Sequence, residues 1–420
     1  MSLMLPINFA WSSESSALQL DLMAYTLPRS IAAGVIIALV VAVFATTVNH
    51  GLAAWGAALF GIVIMYVNHV AGQHAGPVTS LSTLNYVDSI AAGILFGGIA
   101  TAVLHGRPQV FGWTLGALSS VVIGTAVPAP HGEAHSTGLG TVYSPTGDTP
   151  PLWLIVVTMI VVAVGTVLNR HRSGIERRSF ELPMAPILAG TLFVGVTLFG
   201  TEWLAHHGDN LVDIGTAALA TVVAGMIAAM LLPRRDGTLV LLTIALSGVG
   251  ATLLPSAVPT WTAIPLIAVV AGGILLGFRR PAPMAALAAF AATAVLGALT
   301  AGGAASPVRT AAFSIVLAAL SGYCFSSAAP RYNPTRVLGM AIVFVPSVVV
   351  ALRDHPSRND YGTVTVENGH WYYTQTPTPD SPTPYWTAFA ITIACVIGLI
   401  ALRRWRAPTI PGTRGKAAES

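Results

Sequence analysis

Charge is what this chain has least of. Only 9% of its 420 residues are Asp, Glu, Lys or Arg, whereas soluble domains carry about 25%. So little charge cannot cover a water-facing surface, which excludes an ordinary soluble fold. Lysine is nearly missing, since nineteen of the twenty basic residues are Arg. Cysteine is limited to Cys324 and Cys395, both within apolar runs. Two such residues support neither a disulfide framework nor a thiolate metal site, and they read as small buried hydrophobes. No nucleotide-phosphate loop or other cofactor motif appears, so no cofactor is implied.

What fills the chain instead is long apolar runs, 54% of it being hydrophobic. The expected fold is an all-α polytopic membrane bundle of about thirteen helices, with the lipid bilayer as its first partner. The expected spans are 30–48, 52–70, 88–105, 109–128, 151–169, 182–201, 211–232, 237–255, 260–278, 282–300, 309–326, 336–352 and 384–402. Each is near the length an apolar helix needs to cross about 30 Å of hydrocarbon. Residues 1–29 lack a basic n-region and a small-residue cleavage site, so they do not read as a signal peptide. Leu18, Leu22 and Tyr25 fit one face of an interfacial helix, although Leu18, Leu20 and Leu22 also alternate.

The net charge of +4 is a matter of placement, and no nucleic-acid partner follows from it. Arg107, Arg170, Arg172, Arg177, Arg178, Arg234, Arg235, Arg279, Arg280, Arg331 and Arg336 fall on one side of the expected spans. The tail 403–420 adds Arg403, Arg404, Arg406, Arg414 and Lys416 to that side. Only Arg29, Arg309, Arg353 and Arg358 fall opposite. The positive-inside rule makes the basic side cytoplasmic. The N-terminus is then outside, the C-terminus inside, and the membrane is the cytoplasmic one.

The basic turns suggest a row of helical hairpins closed at that face. Short echoes run between them: "AGILFG" at 92–97 with "GGILLG" at 272–277, and "ALSS" at 117–120 with "ALSG" at 245–248 and 319–322. Such echoes suit an internal duplication, and equally a chain with so much Ala, Gly, Leu and Ser. Gly93-x-x-x-Gly97, Gly112-x-x-x-Gly116 and Gly273-x-x-x-Gly277 favour close helix approach.

The middles of the spans lack Asp, Glu, Lys and Arg; Asp88 and Asp213 are placed at outer helix ends, as N-terminal caps. Proton relay and voltage sensing are therefore not expected. Ser119, Ser120, Ser247, Ser314, Ser321 and Ser347 could line a polar path, and Pro346 interrupts a span. A serine in a membrane helix more often bonds back to its own backbone.

The polar residues gather outside. "PHGEAH" places His131, Glu133 and His135 as candidate zinc or copper ligands, and "EWLAHHGD" adds Glu202, His206, His207 and Asp209. Outer loops short of Lys and Arg would hold histidine for solubility alone. The last outer loop, 353–383, carries "TVTVENGHWYYT" at 363–374, where Asn368–Gly369 is a type I′ hairpin signal. In that register Val364, Val366, Trp371 and Tyr373 share one face, with Glu367 and His370 on the other. Glu367, His370 and Trp371 are candidate binding residues for a protein partner or a lid. Two functions fit: a permease or flippase-like carrier for a neutral or lipid-like compound, or a non-transporting subunit that organises a cell-envelope complex through its outer loops. A membrane-embedded transferase is weaker, because Glu133, Asp148, Glu202, Asp209 and Asp354 are scattered. No catalytic residue is assigned.

Overall fold

A computed structural model describes residues 17–48, 50–73, 81–126, 133–137, 140–144, 152–170, 184–208, 210–233, 236–253, 260–301, 307–352, 363–367, 370–374 and 381–405. The helices are α1 (Ala17–Val48), α2 (Gly51–Gln73), α3 (Leu81–Val103), α4 (Arg107–Ala126), α5 (Leu152–Asn169), α6 (Ala185–His207) and α7 (Leu211–Leu231). They continue with α8 (Gly237–Leu253), α9 (Ala263–Arg279), α10 (Pro283–Thr300), α11 (Pro307–Ala328), α12 (Asn333–Phe344), α13 (348–352) and α14 (Thr383–Trp405). Among the described residues, two antiparallel ribbons lie between helices: β1 (Glu133–Thr137) with β2 (Gly140–Ser144), and β3 (Thr363–Glu367) with β4 (His370–Thr374). In the second, Val364 pairs with Tyr373 and Val366 with Trp371.

Ten spans among the described residues are long and apolar enough to cross a membrane. The expected thirteen included α4, α8 and α9, which are not among them. Helices α8 and α9 have 17 residues each, which at 1.5 Å per residue falls short of about 30 Å. Helix α4 opens on Arg107–Pro108–Gln109 and carries several hydroxyls. The bilayer is nonetheless the setting, because apolar side chains face outward all round the bundle. Val161, Leu168, Phe199, Leu219 and Ile397 are each more than 60% exposed. Exposed Trp153, Trp203, Trp261, Trp386 and Trp405 sit at or beside helix ends, as in an interfacial aromatic belt. The chain is a multi-pass membrane protein.

Helix α1 runs unbroken through Pro28, joining the expected N-terminal segment to the first span. Ser30 turns its hydroxyl onto the Leu27 carbonyl at 2.9 Å in the turn around that proline. Membrane helices tolerate an internal proline of this kind.

Packing does not follow the hairpins expected at the basic turns. The most extensive helix contacts join α1 to α3 and α9 to α11, each pair skipping one helix in sequence. Glycine explains the choice. A Cβ on Gly93 would overlap the Gly34 carbonyl of α1, and one on Gly97 the Ala38 carbonyl. One on Gly273 would overlap the Ala319 carbonyl of α11, and one on Gly277 would meet Ser326 and the Tyr323 carbonyl. Lipid offers no hydrophobic drive between helices, so the pairs that can approach backbone to backbone win. The echoed "AGILFG" and "GGILLG" are thus the same packing device at two places. Gly112 and Gly116, expected to do likewise, have nothing within 4 Å of where a Cβ would stand.

Helix α8 forms the axis. Every residue of it except Ser247 is buried, and it packs on α7, α10, α11, α12 and α14. A helix apolar on all sides belongs in such a position.

Polar contacts tie the helix ends. Arg29 of α1 donates to both Glu202 oxygens of α6, at 2.7 and 3.1 Å. The Arg29 side chain is 51% exposed, so a double-mutant cycle of Arg29→Ala and Glu202→Ala should give a coupling of only about 0.2–1 kcal/mol in thermal unfolding. At the start of α7, Asn210 caps the Val212 N–H and Asp213 accepts from Trp203 Nε1 at 3.3 Å. Asp213 is thus a first-turn acid, and Asn210 is the cap.

Candidate functional site

The most buried span is also the one that breaks. Asn333–Leu352 is 72% buried over its apolar window, against 17% for peripheral α5. Helix α12 ends where Val345 turns extended (φ −75°, ψ 134°), its N–H making a last bond to Ala341 O at 3.0 Å. Pro346 has no N–H to continue the ladder and clashes with a helical path. Helix α13 starts afresh, with Val350 N–H donating to Ser347 O at 3.0 Å. The interruption lies roughly 18 Å from the start of α12, inside the apolar stretch.

Neighbours hold the break from several sides. Val345 clusters with Ile31 and Val35 of α1 and Val194 of α6. Beyond it, Val348 lies against Gly200 of α6, and Val349 faces Gly248 of α8. Before it, Phe344 meets Phe96 of α3 edge-on at 5.9 Å, and Phe96 in turn lies 5.0 Å from Trp113 of α4. Irregular backbone at membrane depth persists only where protein or a polar cavity encloses it.

The hydroxyls sort themselves by what they bond. Ser120 donates to Ala117 O and Ser321 to Ala318 O, so both are spent on their own helices. The buried threonines behave alike, as Thr197 does toward Phe193 O and Thr243 toward Leu239 O. Ser119 Oγ, Ser347 Oγ and Trp113 Nε1 are different: each is buried and makes no hydrogen bond to the described residues. A buried polar group left without a partner costs about 1–3 kcal/mol. Of the six serines expected to line a polar path, Ser119 and Ser347 are thus left buried without a partner among the described residues, and Trp113, which sequence reading did not single out, shares that condition. Nothing in the sequence around Trp113 marks its indole as unpaired.

Asp88 is not a cap. It lies seven residues inside α3, within the apolar window Thr83–Val103. Asn68 of α2 donates from Nδ2 to Asp88 Oδ1 at 2.8 Å and to Leu84 O at 3.1 Å. Its cap reading came from placing the start of the span at residue 88, whereas the helix begins at Leu81.

The described side chains of the "EWLAHHGD" patch have other partners. Glu202 holds Arg29, and the His207 ring stacks on Trp203 with centroids 4.1 Å apart. Among the described residues, no three His, Cys, Asp or Glu side chains come together to hold a metal ion. His131 and Asp209 lie outside the described residues. The backbones of Glu133 and His135 lie in β1, those of Glu367, His370 and Trp371 in β3 and β4, and that of His206 in α6; their side chains are outside the description.

A second polar centre sits at the basic end of the bundle. Asp236, 3% exposed, accepts from Arg331 N–H, Tyr332 N–H and Thr335 Oγ1, each at 3.1 Å. It joins the α7–α8 turn to the α11–α12 turn. Beside it Ala329 takes the left-handed conformation, φ 40°, that glycine usually supplies at a helix end. Burial pushes the Asp236 carboxyl above its usual range, against the three donors and the Arg336 charge, which pull it down. No family model matches this chain, and no curated protein resembles it significantly.

Proposed function

We propose that this protein is a permease or flippase-like carrier for a neutral or lipid-like compound, with its substrate site at the α12–α13 break. One observation carries the reading: the most enclosed span is interrupted at depth, beside a buried hydroxyl with no partner in the described chain. Carriers build binding sites from discontinuous helices, because a break frees last-turn carbonyls and first-turn N–H groups for a ligand. The walls supply apolar and aromatic surface with few polar groups, which suits an uncharged cargo. The Arg distribution supports a cytoplasmic membrane, with the N-terminus outside and β3–β4 over the outer face.

Native mass spectrometry of the mildly solubilised protein tests this. A small molecule should remain bound to the wild type and be lost in Ser347→Val. Pro346→Ala should lose it too while holding or raising the melting temperature, since a continuous helix closes the break. A stoichiometric second protein, released by deleting residues 361–375, would make the chain an organising subunit instead.

A further inference from the structure

We propose that Asp88 is a reversible proton-binding group within the membrane, held between α2 and α3 by Asn68. Ionisable side chains are costly inside a bilayer and are kept there for function. Asp88 lies about 10 Å along α3 from its start, inside the apolar window Thr83–Val103.

The surroundings fit a proton better than a fixed ion pair. Asn68 spends both amide hydrogens on α3, one on Leu84 O and one on Asp88 Oδ1. The amide is thereby locked with its nitrogen toward the carboxyl. An amide donor is neutral, so it stays bonded to Oδ1 whether or not the carboxyl is charged. Proton uptake adds H⁺ to Oδ2 and leaves the Asn68 bond in place; release restores the carboxylate. The titratable neighbour on α2 is His69, next in the chain to Asn68. From α1, Arg29 is directed to Glu202 of α6. From α12, Arg336 donates to Pro330 O, beyond the far end of the helix. The α4 contacts carry Arg107 at the helix start.

The backbone around the site is unyielding. Gly34 of α1 lies against the Ser89 carbonyl, and a Cβ on Gly61 of α2 would stand 2.7 Å from the Ala91 carbonyl. Under the carrier reading, this is where transport would be coupled to a proton gradient. The proton site itself does not depend on that reading.

The test uses the full chain in liposomes and needs no substrate. Infrared difference spectra between about pH 5 and about pH 8 should show the C=O stretch of a protonated carboxyl, absent in Asp88→Asn. A hydrophobic carbodiimide should modify Asp88, located by peptide mass spectrometry, with labelling falling about tenfold per pH unit once the carboxyl ionises. Asn at position 88 keeps a carbonyl for the Asn68 donor, so that variant should fold with an unchanged melting temperature at neutral pH. A merely structural clamp predicts identical infrared spectra for the two proteins across the range, which would overturn the proposal. Loss of the bound molecule in the mass-spectrometry experiment bears on the α12–α13 site alone.

Discussion

Asp236→Ala should lower stability by about 3 kcal/mol, the largest effect expected from any single polar side chain described here. Three donors from another turn converge on one buried carboxylate. Alanine would leave Arg331 N–H, Tyr332 N–H and Thr335 Oγ1 without that acceptor, and it would free the strained turn at Ala329. Asp236→Asn should recover part of the loss, because Oδ1 can still accept while the amide opposes the other donors. Detergent-resistant thermal unfolding, followed by tryptophan fluorescence, would rank the three proteins. The pH dependence has a definite sign. Burial raises the folded carboxyl above its unfolded value, so the folded state holds the proton more tightly. Stability is then greatest below the unfolded value near 3.9. It declines as pH rises through the raised folded value and is level above it. Asp236→Asn should remove that slope.

Gly93→Val should be at least as damaging, by a different route. The new side chain would have to occupy the space of the Gly34 carbonyl, and backbone cannot step aside as a flexible side chain can. Overpacking in a tight core costs about 1–3 kcal/mol, and more where backbone is the obstacle. Gly273→Val should fail similarly against the Ala319 carbonyl. Gly112→Val and Gly116→Val face open space, so they are the matched controls and should fold near normally. Yield of monodisperse protein on size-exclusion chromatography would separate the two pairs. Equal behaviour of all four variants would reject the close-packed assignment.

This contrast shows where sequence stopped being informative. All three glycine pairs share one spacing, and nothing local tells which pair has a neighbour's backbone beside it. Long apolar runs are visible because the bilayer imposes their length on the chain itself. Which helix packs on which is a property of two segments at once, and the skipped pairings α1–α3 and α9–α11 were not legible. Helix α8 was read as an ordinary span because apolar composition looks the same in lipid and in a protein core. For the site, Pro346 and Ser347 stood out as residue types, and the break follows from proline's missing N–H. Trp113 could not be found, because an indole's lack of a partner is a fact about its surroundings. Asp88 was visible but misplaced, since its meaning turned on where α3 begins.

The axial position of α8 also sets an order in time. Four of the helices that surround it, α10, α11, α12 and α14, are made after it. When α8 leaves the ribosome its walls do not yet exist, and at 17 residues it is a poor guest for bare lipid. Biogenesis must therefore hold this segment beside its earlier neighbour α7 until those later helices arrive.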